Sequence, residues 1–239
     1  MYGSRARIGY TSPPMLTEVF ARDFYRVMPA DVSLVLTTLA ILEMNTSEID
    51  QSLKIARSVA KEMARAGVSL VVLGGVPINL SAAGPAGVDN LIDETRQQCG
   101  VPVTSSLTAQ MKALKALGSK RVAVVQPFEA SHASSYSYLN HFGFENLGVA
   151  SAGSPAIDLG QLSSDIPVQL AHEIKKMHPE ADTVYFPCPH WAIVDRIEEI
   201  EHDLGVNVVT AGQAIFWDAL RCCSLPDKIT GYGRLLEEH

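Results

Sequence analysis

The feature that most constrains this chain is a strand pattern that runs through once and then starts again. Val68-Ser-Leu-Val-Val-Leu73 is a continuous apolar run that stops at Gly74-Gly75, as a strand covered on both faces does. Its counterpart, Thr183-Val-Tyr-Phe186, leads into Cys188. Arg7-Ile-Gly-Tyr10 corresponds in the same way to Arg121-Val-Ala-Val-Val125, and Val101-Pro-Val103 with Thr104 to Val206-Asn-Val-Val209 with Thr210. The three pairs lie 114, 113 and 105 positions apart. Helix-periodic segments separate the strands. One covers 16–28, with Val19, Phe20 and Phe24 on one side. A second strand, Asp31-Val-Ser-Leu-Val-Leu36, precedes a long helix that Thr46 or Ser47 caps and Gly67 closes. Further helices are expected over 88–99 and 107–117. Alternating strands and helices predict a parallel α/β class. The repeat predicts two pseudo-symmetric parallel-sheet half-domains, with Gly74-Gly75 and Cys188 on opposite walls of a cleft between them.

Composition narrows the function classes. The chain has 239 residues, 47% hydrophobic and 19% charged, with a net charge of −7. That suits a globular protein with a sizeable core. A phosphate-driven nucleic-acid binder needs a basic face, and no basic cluster occurs, so no nucleic-acid partner is expected. The first residues lack the apolar run of a signal peptide, and no segment has the ~18 unbroken apolar residues of a membrane span. Cys99, Cys188, Cys222 and Cys223 show no Cys-x-x-Cys spacing, which suggests a reducing compartment. The expected location is the cytoplasm, with no membrane partner.

In Thr183-Val-Tyr-Phe-Pro-Cys188-Pro-His190-Trp191, an apolar strand stops at a cysteine. Ile193, Ile197, Ile200 and Leu204 then recur at helical spacing up to Gly205. Cys188 is therefore expected at the carboxyl end of a strand, facing the amino end of a helix that starts two residues later. That is the crevice where open α/β sheets bind ligands, and where backbone N–H groups lower a thiol pKa. A small buried hydrophobe is the other reading of the same cysteine.

Several stretches resemble the aspartate/glutamate racemase superfamily. Cys188-Pro-His190-Trp191 is similar to its Cys-Thr-His-aromatic signature. Ser12-Pro-Pro14, Ala214-Ile-Phe-Trp-Asp-Ala-Leu-Arg221 and the terminal Gly231-Tyr-Gly-Arg-Leu-Leu-Glu-Glu238 resemble the arylmalonate decarboxylase branch. The tail is the most specific of these, because a generic α/β fold does not require Gly-Tyr-Gly-Arg. The resemblance implies Rossmann-like or flavodoxin-like half-domains of four strands, no cofactor, and a last helix that crosses back to the first half. The domains are then 1–103 with 211–239, and 104–210.

The resemblance also implies a chemistry. Two-thiol racemases and maleate isomerases carry a cysteine in each half, but the first position here is Gly74-Gly75-Val76. A single cysteine fits the decarboxylase branch: a disubstituted malonate loses carbon dioxide, and Cys188 protonates the resulting enediolate. His190 either tunes Cys188, shuttles its proton or sits on the surface. Arylmalonate decarboxylases place hydroxyl residues where Gly75 and Val76 stand, and a tyrosine where Phe128 stands. Backbone N–H groups around Gly75 and Val76, with Ser12, Thr11 or Ser105, are expected to serve instead. Pro14 and Pro189 complete the expected substrate-binding set. Leu39, Ile41, Leu42 and Met44 are read as a loop that forms either core or an apolar pocket. Trp191 either narrows the mouth or packs under the helix. A small mono- or dicarboxylate is the expected partner, and an oligomer is compatible with the sequence. Two rival readings stand: a maleate isomerase or amino-acid or hydantoin-type racemase of the same superfamily, and an inactive small-carboxylate-binding protein.

Other signals are discounted. The seven histidines show no ligand spacing, so no metal is expected. His132 is read as a loop histidine, and Cys222-Cys223 as packing residues. Ser131-His-Ala-Ser-Ser-Tyr-Ser137 is read as polar helix surface, since it lacks the Gly-x-Ser-x-Gly elbow.

Overall fold

A computed structural model describes residues 3–14, 17–42, 45–129 and 136–239. They form two units, each with its own four-stranded, all-parallel sheet. The class is α/β, with two half-domains, as the repeat predicts. Among the described residues no helix is long and apolar enough to cross a membrane.

The first unit comprises Met1–Thr17, Ala21–Ala109 and Ile215–Asp227. Its elements are β1 (Ala6–Pro14), α1 (Glu18–Val27), β2 (Val32–Ile41), α2 (Thr46–Arg65), β3 (Leu70–Leu73), α3 (Val76–Ser81), α4 (Val88–Cys99) and β4 (Val103–Ser105). The strand order is β2-β1-β3-β4. All of β3 is buried, because it lies inside the sheet with α2 packed against it. Ala56, Ala60 and Met63 form the buried stripe of α2. The helix comes so close to β1 that a Cβ on Gly9 would stand 2.9 Å from the Met63 sulfur. Asn45 caps α2 by accepting a 2.9 Å hydrogen bond from the Glu48 N–H, displacing the expected caps Thr46 and Ser47 into the first turn.

Two strands run further than their apolar runs suggest. β1 continues through Ser12-Pro13-Pro14, which the sequence reads as a loop. Its pairing with β3 ends at Thr11↔Leu73, while its pairing with β2 continues through a bulge to Pro14↔Ile41. With one neighbour gone, part of the ladder no longer needs donors, and proline is tolerated there. β2 likewise extends to Ile41. Leu39 and Ile41 are therefore buried strand residues rather than a loop, and Leu42 is 54% exposed. Met44 lies outside the described residues.

The second unit comprises Glu18–Phe20, Gln110–Ala214 and Lys228–His239. The helix α5 (Ser106–Ala116) leads into β5 (Arg121–Gln126), α6 (Tyr138–His141), β6 (Glu145–Ser151), α7 (Asp165–Met177), β7 (Thr183–Phe186), α8 (Ile197–Leu204), β8 (Asn207–Thr210), α9 (Ala211–Cys222) and α10 (Arg234–Glu238). The order β6-β5-β7-β8 repeats that of the first sheet. The helix starts repeat as well. Ser105 accepts the Thr108 N–H at 3.0 Å, and Thr210 accepts the Gln213 N–H at 3.2 Å. Both are hydroxyl caps at the end of a last strand.

The end of the chain divides between the units. The sequence reading assigned all of 211–239 to the first, but the tail from Lys228 packs on the second. The Gln213 side-chain amide donates to the Tyr232 carbonyl at 2.7 Å, and the Arg234 N–H donates to the Glu201 carboxylate at 3.0 Å. Leu235 and Leu236 are fully buried. Within the first unit, Arg5 holds Asp227 with two bonds of 2.9 and 2.6 Å.

Asn79 of α3 is buried and joins two strand ends of the first unit. Its amide donates to the Leu73 carbonyl and accepts from the Leu107 N–H, each at 3.2 Å. Asn79→Ala leaves a buried carbonyl and a buried N–H unpaired, at about 1–3 kcal/mol for each group. The variant is expected to lose about 2–4 kcal/mol in urea unfolding. A loss within 0.5 kcal/mol (about the scatter of neutral surface changes) would show that the clamp contributes nothing.

Candidate active site at two strand ends

In the first unit, the chain leaves β3 through Gly74-Gly75 and enters α3 at Val76. The Gly74 N–H donates to the Thr11 hydroxyl at 3.0 Å. The parallel register Thr11↔Leu73 sets that contact. Gly75 has φ +82°, and a Cβ there would stand 2.5 Å from Pro13 Cγ. Glycine is required on both counts, so no hydroxyl side chain fits position 75. A Cβ on Gly74 would stand 2.0 Å from the Thr11 carbonyl oxygen. The donors this turn offers are consequently backbone N–H groups, those of Gly75 and Val76 in particular. Ser12 is buried in β1, Pro14 is half-buried at its end, and Val76 is buried. These five expected residues share one strand-end turn.

In the second unit, β7 ends at Phe186 and Cys188 lies two residues beyond. The expected helix does not begin there. A turn, the buried Trp191, Ile193 and Val194, and a 3-10 segment Val194–Arg196 intervene before α8 starts at Ile197. The amino end of α8 is therefore not at Cys188. The Cys188 sulfur accepts the backbone N–H of His190. Burial outweighs that bond and pushes the thiol up to about 12. Cys188, 6% exposed, is therefore a neutral acid at pH 7 rather than a resting thiolate.

His190 is 4% exposed, which overturns its surface reading. Burial pushes its imidazole down to about 3, so it carries no charge beside the thiol at neutral pH. Its ring lies 6.0 Å from that of Phe20, tilted by 45°. Trp191 is buried, which settles its two readings in favour of packing. Pro189 is half-buried between Cys188 and His190. Phe128 is half-buried two residues past β5, and its carbonyl accepts from the Gly153 N–H.

The sequence reading missed a group of buried tyrosines in this unit. The Tyr136 hydroxyl donates to the Gln126 side-chain oxygen at 2.7 Å. Tyr138 meets the Tyr185 hydroxyl at 3.0 Å, and Tyr185 donates to Gln110 at 2.6 Å. Tyr136 falls within the run taken for polar helix surface, yet it is 6% exposed. The only sequence signal was Tyr136-Ser-Tyr138 among small polar residues. His132 lies outside the described residues. Cys99, Cys222 and Cys223 are free thiols at helix ends, partly buried.

The buried histidine makes stability depend on acid. An unfolded His190 titrates near 6.5 and the folded one near 3, so below pH 6.5 the unfolded state binds more protons. Stability is present above pH 6.5 and is lost as pH falls toward 3, by up to about 1.4 kcal/mol per pH unit from this group. His190→Gln is expected to flatten that arm when urea midpoints are compared between pH 7 and 4. An unchanged slope would place the acid sensitivity elsewhere.

The geometry has known counterparts. The sequence profile of arylmalonate decarboxylases matches residues 8–236. The arylmalonate decarboxylase of Bordetella bronchiseptica is 27% identical over 238 residues, covering 98% of each chain. A solved arylmalonate decarboxylase carrying glycine-to-cysteine and cysteine-to-serine substitutions, in a liganded form, has a TM-score of 0.89 at 25% identity. It matches 98% of this chain and 100% of its own. The maleate isomerase of Pseudomonas putida S16 shares the fold, with a TM-score of 0.84 at 19% identity and 98% of each chain covered.

Proposed function

Since this chain belongs to the arylmalonate decarboxylase family, we propose that it is a cofactor-independent decarboxylase of a small disubstituted malonate, with Cys188 as the proton donor. The observation that carries this reading is a buried thiol held in its acid form at the end of β7, while the equivalent turn after β3 contains glycine. The bond between Cα and one carboxylate breaks, carbon dioxide leaves, and the electron pair delocalises into the retained carboxylate as an enediolate. The Cys188 S–H then gives its proton to Cα. The thiolate so formed is reprotonated from water, which restores the acid. Carboxylate plus carbon dioxide is the balanced product of malonate dianion and one proton.

A thiol with an ordinary pKa would be partly ionised near pH 8, and the ionised fraction could not donate. Desolvation keeps Cys188 protonated and makes its thiolate a strong base, which favours return of the proton. The backbone N–H groups of Gly75 and Val76 are proposed as donors to a carboxylate, with Ser12, Pro14 and Gly74 shaping their turn. Pro189 and Phe128 are proposed as apolar contacts of the substrate. His190, neutral at working pH, is proposed to act chiefly through its backbone N–H on the Cys188 sulfur.

The test is turnover in heavy water followed by proton NMR, with methyl-phenylmalonate, maleate, and both enantiomers of aspartate and glutamate. Loss of carbon dioxide from the malonate with uptake of one deuterium at Cα is expected. Cys188→Ala should lower that rate by at least about 10²-fold. Deuterium entering an amino acid at Cα, or conversion of maleate to fumarate, would reassign the chain to a racemase or an isomerase. Turnover that survives Cys188→Ala unchanged would remove the thiol from the mechanism.

A further inference from the structure

The enediolate needs hydrogen-bond donors, and the expected hydroxyl side chains are missing from positions 75, 76 and 128. Resting on the proposed decarboxylation, we propose that Tyr136 is a substrate-binding donor, its phenol hydroxyl holding an oxygen of the reacting carboxylate beside Cys188.

The sheet register places it there. β5 and β7 pair with Val124 opposite Tyr185. Two residues beyond that pair, β5 ends at Gln126, and the chain leaving β7 reaches Pro187 and then Cys188. Tyr136 is anchored to that strand end through its 2.7 Å bond to Gln126. In keeping with that placement, the Tyr136 pKa is raised by burial, by Tyr138 and then by a charge on Cys188.

Gln126 is itself fixed. Its amide nitrogen donates to the Ser151 hydroxyl at 2.8 Å and to the Glu129 carbonyl at 3.2 Å. The side-chain oxygen is thereby turned toward Tyr136, and the phenol is positioned before any substrate arrives. Pre-positioning of this kind lets a donor stabilise developing charge without reorganising at the moment of reaction. When a carboxylate binds, the phenol proton exchanges a neutral acceptor, the Gln126 oxygen, for an anionic one. Hydrogen bonds to charged oxygens are roughly twice as strong as neutral ones, so the exchange is favourable.

The neighbouring tyrosines do not fit the role. Tyr138 and Tyr185 share a hydrogen bond and Tyr185 also donates to Gln110, so neither hydroxyl changes partner without breaking a bond of the other. Their chain runs through fully buried groups, whereas Tyr136 is the most accessible of the three. Its ring lies 6.1 Å from that of Tyr138 and uses the chain as a packing platform.

The experiment compares wild type, Tyr136→Phe and Tyr138→Phe, each checked for folding by circular dichroism. Turnover of methyl-phenylmalonate is measured, with calorimetric binding of 2-phenylpropionate, the carboxylate that its decarboxylation produces. Tyr136→Phe is expected to lower kcat by about 10²–10³-fold and to weaken 2-phenylpropionate binding by at least about 10-fold. Tyr138→Phe removes a comparable buried bond and should stay within a few-fold of wild type on both measures. If wild type is active and Tyr136→Phe retains its kcat and affinity, or if Tyr138→Phe loses as much, the inference is wrong and the decarboxylase reading stands. If wild type turns over no malonate, the decarboxylase reading fails. Binding then decides the inference alone: carboxylate affinity lost specifically in Tyr136→Phe upholds the donor, and affinity that is absent or unaffected overturns it.

Discussion

Parallel pairing within each sheet is the constraint on which everything else rests. It delivers all the carboxyl ends of a sheet to one edge, and its register decides which groups meet there. In the first unit, Thr11 opposite Leu73 brings a hydroxyl to the Gly74 N–H, and Leu73 opposite Ser105 sets the helix cap one strand over. In the second, Val124 opposite Tyr185 and Phe186 opposite Thr210 set Gln126, Cys188 and the α9 cap side by side. A slip of one residue would turn each of these side chains to the other face. The chemistry at each edge is therefore a property of the ladder as much as of the residues.

At Cys188 two effects oppose each other and one wins. The His190 N–H stabilises a thiolate, and burial destabilises it. A rise from the ordinary 9.0 to about 12 corresponds to about 4 kcal/mol against the charged form. That net figure already contains the opposing His190 bond, and a hydrogen bond to a charged group is worth about 1.5–3 kcal/mol. Desolvation therefore dominates, and the sequence gains an acid where a more open strand end would have produced a nucleophile. The later start of α8, at Ile197 rather than beside Cys188, works in the same direction.

Local signals made much of the architecture legible. The helix Val88–Cys99 and the strand Thr183–Phe186 have the bounds that periodicity and an apolar run assign them, because those patterns are set by near neighbours. The repeated strand order follows from the spacing of equivalent runs. What escaped depends on tertiary partners. β1 carries two prolines into a strand because β2 still pairs with it after β3 has stopped. The helical spacing from Ile193 onward is real burial, but the first of those residues sit in a turn. Tyr136 read as polar surface and the placing of His190 stayed open, because burial is decided by tertiary packing rather than by local pattern. The departures at Gly75 and Val76 were plain in the sequence, while the physical need for glycine, the nearness of Pro13, was not.

The glycine at position 74 carries a consequence for stereochemistry. A Cβ there would sit 2.0 Å from the Thr11 carbonyl oxygen, a backbone atom fixed by pairing on either side of β1. No side-chain rotation relieves such a contact, so a side chain at position 74 requires the Thr11 backbone to shift. Exchange of Gly74 for cysteine therefore asks β1, a central strand of its sheet, to give way locally. The glycine at position 74 leaves Cys188 as the thiol of the proposed reaction. A lone acid delivers its proton to one face of a planar enediolate. On the proposed reaction, a single product configuration follows when the substrate is held in one orientation against Cys188.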